Sequence, residues 1–208
     1  MRVAAFDMGT RNFAFCVEEI NEPLPTPRVR ARFDDKGRAV DEYHSYLESQ
    51  VYRRGRLIEM QCIDLKAFCE THKISNLYLG LTLVLNRYTA LWDAVDVFLV
   101  EQQMAYGRNK ANIQALRLAQ HTLSYLWTIY GTFRTIQEFS SSHKTRVLGC
   151  AHEERRAHRT RKKFAVELAT RILRNREDPL YDRHQQLPKQ DDVSDCVLMI
   201  QAYKALSG

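Results

Sequence analysis

The chain has 208 residues, with 31 Lys plus Arg against 25 Asp plus Glu, a formal net charge of +6, 45% hydrophobic and 27% charged residues. That length and apolar content predict one globular domain over 1–208 with a sizeable core, and eight Gly and five Pro exclude a collagen-like or largely disordered chain. No apolar run reaches the roughly 20 residues of a membrane span, and Asp7 interrupts the start before a signal peptide's hydrophobic stretch could form, so neither membrane partner nor leader is expected.

In chain order, Val3–Phe6 and Phe13–Val17 are β-prone runs around MGTRN, which reads as a hairpin. Residues 28–33 (RVRARF) alternate as a third, edge segment, followed by a DDKGR turn and a short helix near Val40–Tyr52. Ile58–Leu65 alternates again. Leu77, Leu81, Val84, Leu85, Tyr88, Leu91, Trp92 and Val95 then keep the three-four spacing of one buried helix face. Val97–Val100 is fully apolar, as a strand covered on both faces must be, and ends at Glu101. A helix follows with Ile113, Leu116, Leu123, Leu126 or Trp127 and Tyr130 on its core side, and over 109–129 Leu118, Tyr125 and Ile129 form a second apolar face, the candidate dimer contact. Gly131 ends it before a strand at Thr132–Ile136. Helices near Arg159–Leu173 and around Val193, Val197 and Ile200 complete an α/β fold with a mixed sheet.

Charge is concentrated. Between His143 and Arg176 stand eleven Lys or Arg against three acids, leaving 20 basic and 22 acidic residues elsewhere. Such a window is either a face for a polyanion, since phosphate contacts release counterions, or a solvated helix surface. Arg108, Lys110 and Arg117 form a smaller cluster. The five Cys lack any CxxC pair, which excludes a four-Cys zinc site and fits a reducing compartment. His143, Cys150, His152 and His158 match no standard zinc spacing and read as a polar loop.

Acidic residues close the elements: Asp7 ends the first strand, Glu101 the central one, and Asp191, Asp192 and Asp195 open the last helix. Asp at a helix start also serves the helix dipole, so the last three have two readings. Glu101 fits no amphipathic pattern. Carboxylates brought together need a cation between them, and oxygen donors without Cys or His select Mg²⁺ or Mn²⁺. Two such ions can drive phosphodiester hydrolysis, and with the basic window this points to a nuclease.

FDMGTRNFAFCV at 6–17, WDAVDVFLVEQQM at 92–104, NIQALRLAQH at 112–121, SSHKTRVLG at 141–149, RKKFAVEL at 161–168 and KQDDVSDCVLM at 189–199 resemble, in order and spacing, the Holliday junction resolvases of poxviruses and other large DNA viruses, relatives of RuvC. The likeness spans nearly the whole chain except an insertion at about 22–56. It implies a ribonuclease H-like fold with a mixed five-stranded sheet flanked by helices. It further implies a homodimer with two Mg²⁺ per active site, Mn²⁺ substituting, that cuts four-way DNA junctions by paired nicks. Its catalytic, metal-holding acids fall on Asp7, Glu101, Asp192 and Asp195, and Lys144 falls near the scissile phosphate. Arg11, Arg108, Lys110, Arg117, Lys144, Arg155, Arg156, Arg159, Arg161, Lys162 and Lys163 are the expected DNA contacts. The implied setting is a viral protein in the infected cell, acting in the cytoplasm. The alternatives are a ribonuclease H-like exonuclease or RNA-processing nuclease, a junction binder without catalysis, and an actin-like ATPase fragment, for which a second lobe is missing.

Overall fold

A computed structural model describes residues 1–23, 33–103 and 112–207. Five strands, β1 (Arg2–Asp7), β2 (Phe13–Glu19), β3 (Arg56–Ile63), β4 (Val97–Gln102) and β5 (Thr135–Ser140), form one sheet in the order β3-β2-β1-β4-β5. β1 pairs antiparallel with β2 and parallel with β4, and β4 pairs parallel with β5. The expected hairpin is therefore present. Its turn needs Gly9, since a Cβ there would stand 2.8 Å from the Asn12 carbonyl oxygen.

The helices are α1 (Asp41–Tyr46, continued by a π turn over Leu47–Val51), α2 (Leu65–Thr71), α3 (Leu77–Arg87), α4 (Thr89–Trp92), α5 (Ile113–Tyr130), α6 (Ser141–Val147), α7 (His152–Arg156), α8 (His158–Asn175), α9 (Tyr181–Gln186) and α10 (Gln190–Ser207). Strand alternation splits the core into two layers. Val3, Ala5, Ala14, Cys16, Val97 and Leu99 meet α1, α8 and α10. Ala4, Phe6, Phe13, Phe15, Phe98 and Val100 meet α3, α4 and α5, with Trp92 packed edge-on to Phe15. α10 is buried nearly all round, packed on β1, β2, α6 and α8, so its first turn is held rigidly over the sheet. Among the described residues no helix is long and apolar enough to cross a membrane.

Several expectations need correction. The single helix expected over 77–95 is broken at Tyr88, whose backbone N–H already bonds Leu85. The last strand begins at Thr135, not Thr132, because the N–H groups of Phe133 and Arg134 both turn back to the Tyr130 carbonyl. The core stripe of α5 is Ala115, Leu118, Ala119, Thr122, Leu123, Leu126 and Tyr130. Leu118 thus leaves the proposed second face, Ile113 is 56% exposed, and Tyr125 donates a 2.7 Å hydrogen bond to Asn86. The stretch from His143 to His158 is not a loop but carries α6 and α7. Residues 28–32 lie outside the described residues, while Phe33 makes an isolated bridge with Ala39.

Candidate active site

Phe6 pairs with Val100 across the parallel β1 and β4, so the next residues, Asp7 and Glu101, emerge side by side at the carboxyl ends of two strands, where open α/β sheets bind ligands. β5 runs straight into α6, which returns Lys144 to the same edge. From above come Asp192 and Asp195, three apart on the first turns of α10. Cys196 of that helix is tied to the Ala14 carbonyl of β2 at 3.6 Å. All four predicted acids line one cavity of about 820 Å³.

Lys144 is 5% exposed. Its ammonium lies 2.8 Å from Glu101 Oε1 and 3.0 Å from Asp195 Oδ2. Burial acts to lower its pKa, but Glu101, Asp195 and Asp7 together raise it above the usual lysine range. Burial and the neighbouring Glu101 push Asp7 well above the usual carboxylate range. Glu101, despite burial, is held low by Lys144 and by hydrogen bonds from Asp7, Lys144 and Gln103. Burial also raises Asp192 and Asp195. A second lysine, Lys162 of α8, pairs with Asp191 and stands 3.7 Å from Asp192 Oδ1, holding Asp191 low against its burial.

These acids remain short of positive charge. Asp192 Oδ2 is buried with no hydrogen-bond partner, and three of the four carboxyls are raised by burial. An orphaned carboxylate oxygen and an all-oxygen donor set fit a hard divalent cation. Among the described residues no three His, Cys, Asp or Glu side chains stand as a ready metal-binding group, and the Lys144 ammonium lies between Glu101 and Asp195. Of the four residues weighed for zinc, Cys150 is buried in the interior and His143 packs edge-on to Phe139.

The basic window divides in two. Arg155, Arg161 and Lys162 line the cavity, whereas Arg11, Arg117, Arg159 and Lys163 are exposed outside it. Arg108 and Lys110 lie outside the described residues, as does the Arg156 side chain. Two cavity residues that sequence reading had set aside are His152 and His158; their only sequence signal was proximity to the basic run. Asn12, Asn112 and Ser142 also line the cavity; each lies in a segment that carries the resemblance, which implied no role for any of them.

The fold and this acid-lined strand edge define the class: the chain has the RuvC-like resolvase fold, α/β with a mixed five-stranded sheet. The fowlpox virus Holliday junction resolvase superposes with a TM-score of 0.54 at 14% identity over 98% of both chains. The same resolvase with its substrate junction DNA gives 0.54 at 16% identity, over 98% of this chain and 97% of that one. The yeast mitochondrial Holliday junction resolvase Ydc2 gives 0.56 at 14% identity, over 98% of this chain and 78% of that one. No protein-family model matches the chain.

In sequence it is 30% identical over 215 residues to "Uncharacterized protein 97L" of Invertebrate iridescent virus 3, covering 98% of this chain and all of that protein. It is 28% identical over 232 residues to "Uncharacterized protein 170L" of Invertebrate iridescent virus 6, covering 98% of this chain and 89% of that protein. The chain belongs to this iridescent-virus 97L family. Its likeness to the poxvirus protein is one of fold.

Proposed function

We propose that the protein is a structure-specific endonuclease that resolves four-way DNA junctions by paired, symmetric nicks. One observation carries the reading: Asp7, Glu101, Asp192 and Asp195 converge on a single cavity around a buried lysine, with Arg155 and Arg161 lining the same cavity. The four acids are the residues to hold Mg²⁺ or Mn²⁺, a pair per site, which supplies a nucleophilic water and a counter-charge for the leaving oxygen.

The chain's own groups do the rest. Burial and Glu101 raise Asp7 while Lys144 holds Glu101 low, so the two adjacent carboxyls at the strand edge differ in their hold on a proton. Lys144 presents a fixed ammonium at the centre of the acids, on a helix packed against α10, where its donors can turn to a phosphate oxygen. Lys162 fixes Asp191 and leaves Asp192 Oδ2 free. Two opposing strands must be cut before a junction separates, so the reading includes a closed homodimer that presents two identical sites, acting in the cytoplasm of an infected cell.

The test is cleavage of a synthetic four-way junction, beside duplex, single-stranded and RNA–DNA hybrid substrates, across a Mg²⁺ and Mn²⁺ series. Paired nicks confined to the junction, lost in Asp7→Asn and Glu101→Gln while binding persists, are expected, together with a dimer in sedimentation. Preference for the single strand or the hybrid would transfer the reading to an exonuclease or RNA-processing enzyme.

A further inference from the structure

The segment over 22–56 reads in the sequence as an insertion without a role, and its described part touches the cavity wall. Residues 33–39 form a tight hairpin. Phe33 bridges Ala39, the Asp34 N–H bonds the Arg38 carbonyl at 2.9 Å, and the Gly37 N–H bonds the Asp34 carbonyl at 2.9 Å. Asp34 Oδ1 accepts from the Lys36 and Arg38 backbones at 3.0 and 2.7 Å. The hairpin is anchored by Phe33 packed edge-on to Tyr43, whose hydroxyl donates to the Val147 carbonyl at 3.0 Å.

The tip of this hairpin carries α7. The Lys36 carbonyl accepts the His152 N–H at 2.7 Å, at the first residue of that helix. Gly37 has φ +80, and a Cβ on it would collide with the His152 ring and stand 3.0 Å from Arg155 Nη2. Two side chains that line the cavity are thus seated on the bare backbone of one glycine. Arg155 Nε is buried and has no hydrogen-bond partner, although a buried guanidinium N–H costs free energy unless it is paired. Among the described residues no carboxylate pairs with Arg155, whereas Lys144 and Lys162 in the same cavity are both held by acids. A cavity of about 820 Å³ is in the range that takes a whole small ligand, more than one phosphate group.

We propose that Arg155 and His152, positioned by the Gly37 turn, form a phosphate-binding subsite that grips the bound strand at a phosphate other than the one over the acids. Arginine suits this role because its planar fork matches two phosphate oxygens. The inserted hairpin then acts as a buttress that fixes where the strand lies relative to Asp7 and Glu101. The inference rests on the nuclease reading for its substrate, but not for its chemistry, which is the capture of an oxyanion.

The experiment measures junction affinity by fluorescence anisotropy in metal-free buffer over a salt series, for the parent, Arg155→Ala, Gly37→Ala, the double variant, and Lys163→Ala as a comparison from the same basic window outside the cavity. Arg155→Ala should weaken binding about tenfold at 0.1 M salt and reduce the slope of log affinity against log salt by about 0.9, one phosphate contact on duplex DNA. Gly37→Ala should act in the same direction. The double variant should lose less than the sum of the two single losses, because the glycine works through Arg155 as well as His152.

In parallel, inorganic phosphate is titrated into the parent and Gly37→Ala while the Arg155 Nε–H and His152 ring signals are followed by NMR. Both should move in the parent and much less in Gly37→Ala. Arg155→Ala with parental affinity and slope overturns the proposal, as do additive losses in the double variant or a larger slope change in Lys163→Ala. A parent that binds no junction refutes the nuclease reading instead. The phosphate titration then decides the subsite alone: movement of those signals upholds it and their constancy removes it. Should Gly37→Ala fail to fold, the Arg155→Ala and phosphate arms still decide.

Discussion

Asp192→Asn should make the metal-free protein more stable while destroying its activity. Asp192 is 9% exposed, its Oδ2 has no partner, and Asp191 and Asp195 stand close enough to raise its pKa after burial has done so. The Lys162 ammonium is 3.7 Å from Oδ1 but is committed to Asp191. Replacing the carboxylate by a neutral amide of the same shape relieves the repulsion and part of the cost of an unsatisfied buried polar atom, itself about 1–3 kcal/mol. A net gain of about 1 kcal/mol corresponds to roughly 2–4 °C in Tm for a chain of this size. Differential scanning calorimetry in EDTA and in 10 mM MgCl₂ reads both halves of the argument. In the parent, a cation held at a Kd tenfold below its concentration adds about 1.4 kcal/mol, so Mg²⁺ should raise Tm by several degrees. Asp192→Asn should lose that rise and cut junction cleavage by at least about 100-fold, the scale of losing one electrostatic partner in a dry site. If the variant melts lower than the parent in EDTA and still responds fully to Mg²⁺, Asp192 is not a carboxylate awaiting a cation.

Lys144→Met should do the opposite, leaving Glu101 and Asp195 buried without their shared ammonium; a cost of about 3–5 kcal/mol lowers Tm by about 10 °C, and Glu101→Gln added to it should recover part of the loss in the same melting assay. Lys162→Ala should slow cleavage at saturating junction more than it weakens binding, because its ammonium is spent on Asp191 and Asp192, whereas Arg159→Ala, exposed outside the cavity, should lower the salt slope of binding and leave the saturated rate alone. The pH dependence of stability should be set at the other end of the sheet, where Glu18 meets both Lys204 at 2.7 Å and Arg176 at 3.3 Å. Burial and the Arg176 charge push Lys204 down to about 7 although Glu18 opposes them. Above pH 7 the folded state then binds fewer protons there than the unfolded chain, whose lysine titrates near 10.4, so stability rises with pH. Chemical denaturation at pH 7, 8 and 9 should show a positive slope of at most about 1.4 kcal/mol per unit, absent in Lys204→Met; a flat parent profile would contradict it.

The hairpin, the apolar central strand and the acids at element ends were legible because they follow from local rules: turn chemistry, a strand covered on both faces, and a carboxylate with no amphipathic pattern to join. What was missed depends on contacts remote in sequence. α2, α6, α7 and α9 are five to seven residues long, too short for periodicity to register, and they are held by caps such as Asp64 on the Ala67 N–H or by packing. The core face of α5 was legible only in its second half, at Leu123, Leu126 and Tyr130, because Ala115, Ala119 and Thr122 fill much of the rest, small residues that weigh little beside Ile113. Nothing local tells that Lys144 and Lys162 spend their charge inside the acidic cluster, 43 and 29 residues from the partners they bond, while Arg155 does not. A basic window is visible in composition. Which of its members face a phosphate is decided by what else each can reach.

That division explains how five carboxyls can share one end of a fold in the absence of metal. Bare, the cluster would repel itself, and burial would protonate it. Instead the chain brings Lys144 from α6 between Glu101 and Asp195, and Lys162 from α8 beside Asp191 and Asp192. The arrangement stabilises the free protein only in part, since Asp192 Oδ2 stays unsatisfied. This incompleteness favours binding of a cation, because a site fully neutralised by its own lysines gains little from metal, while one wholly lacking them is strained before metal arrives. Substitutions at Lys144 and at Asp192 should therefore displace metal-free stability in opposite directions yet abolish cleavage alike, a combination that a merely structural salt-bridge cluster does not produce.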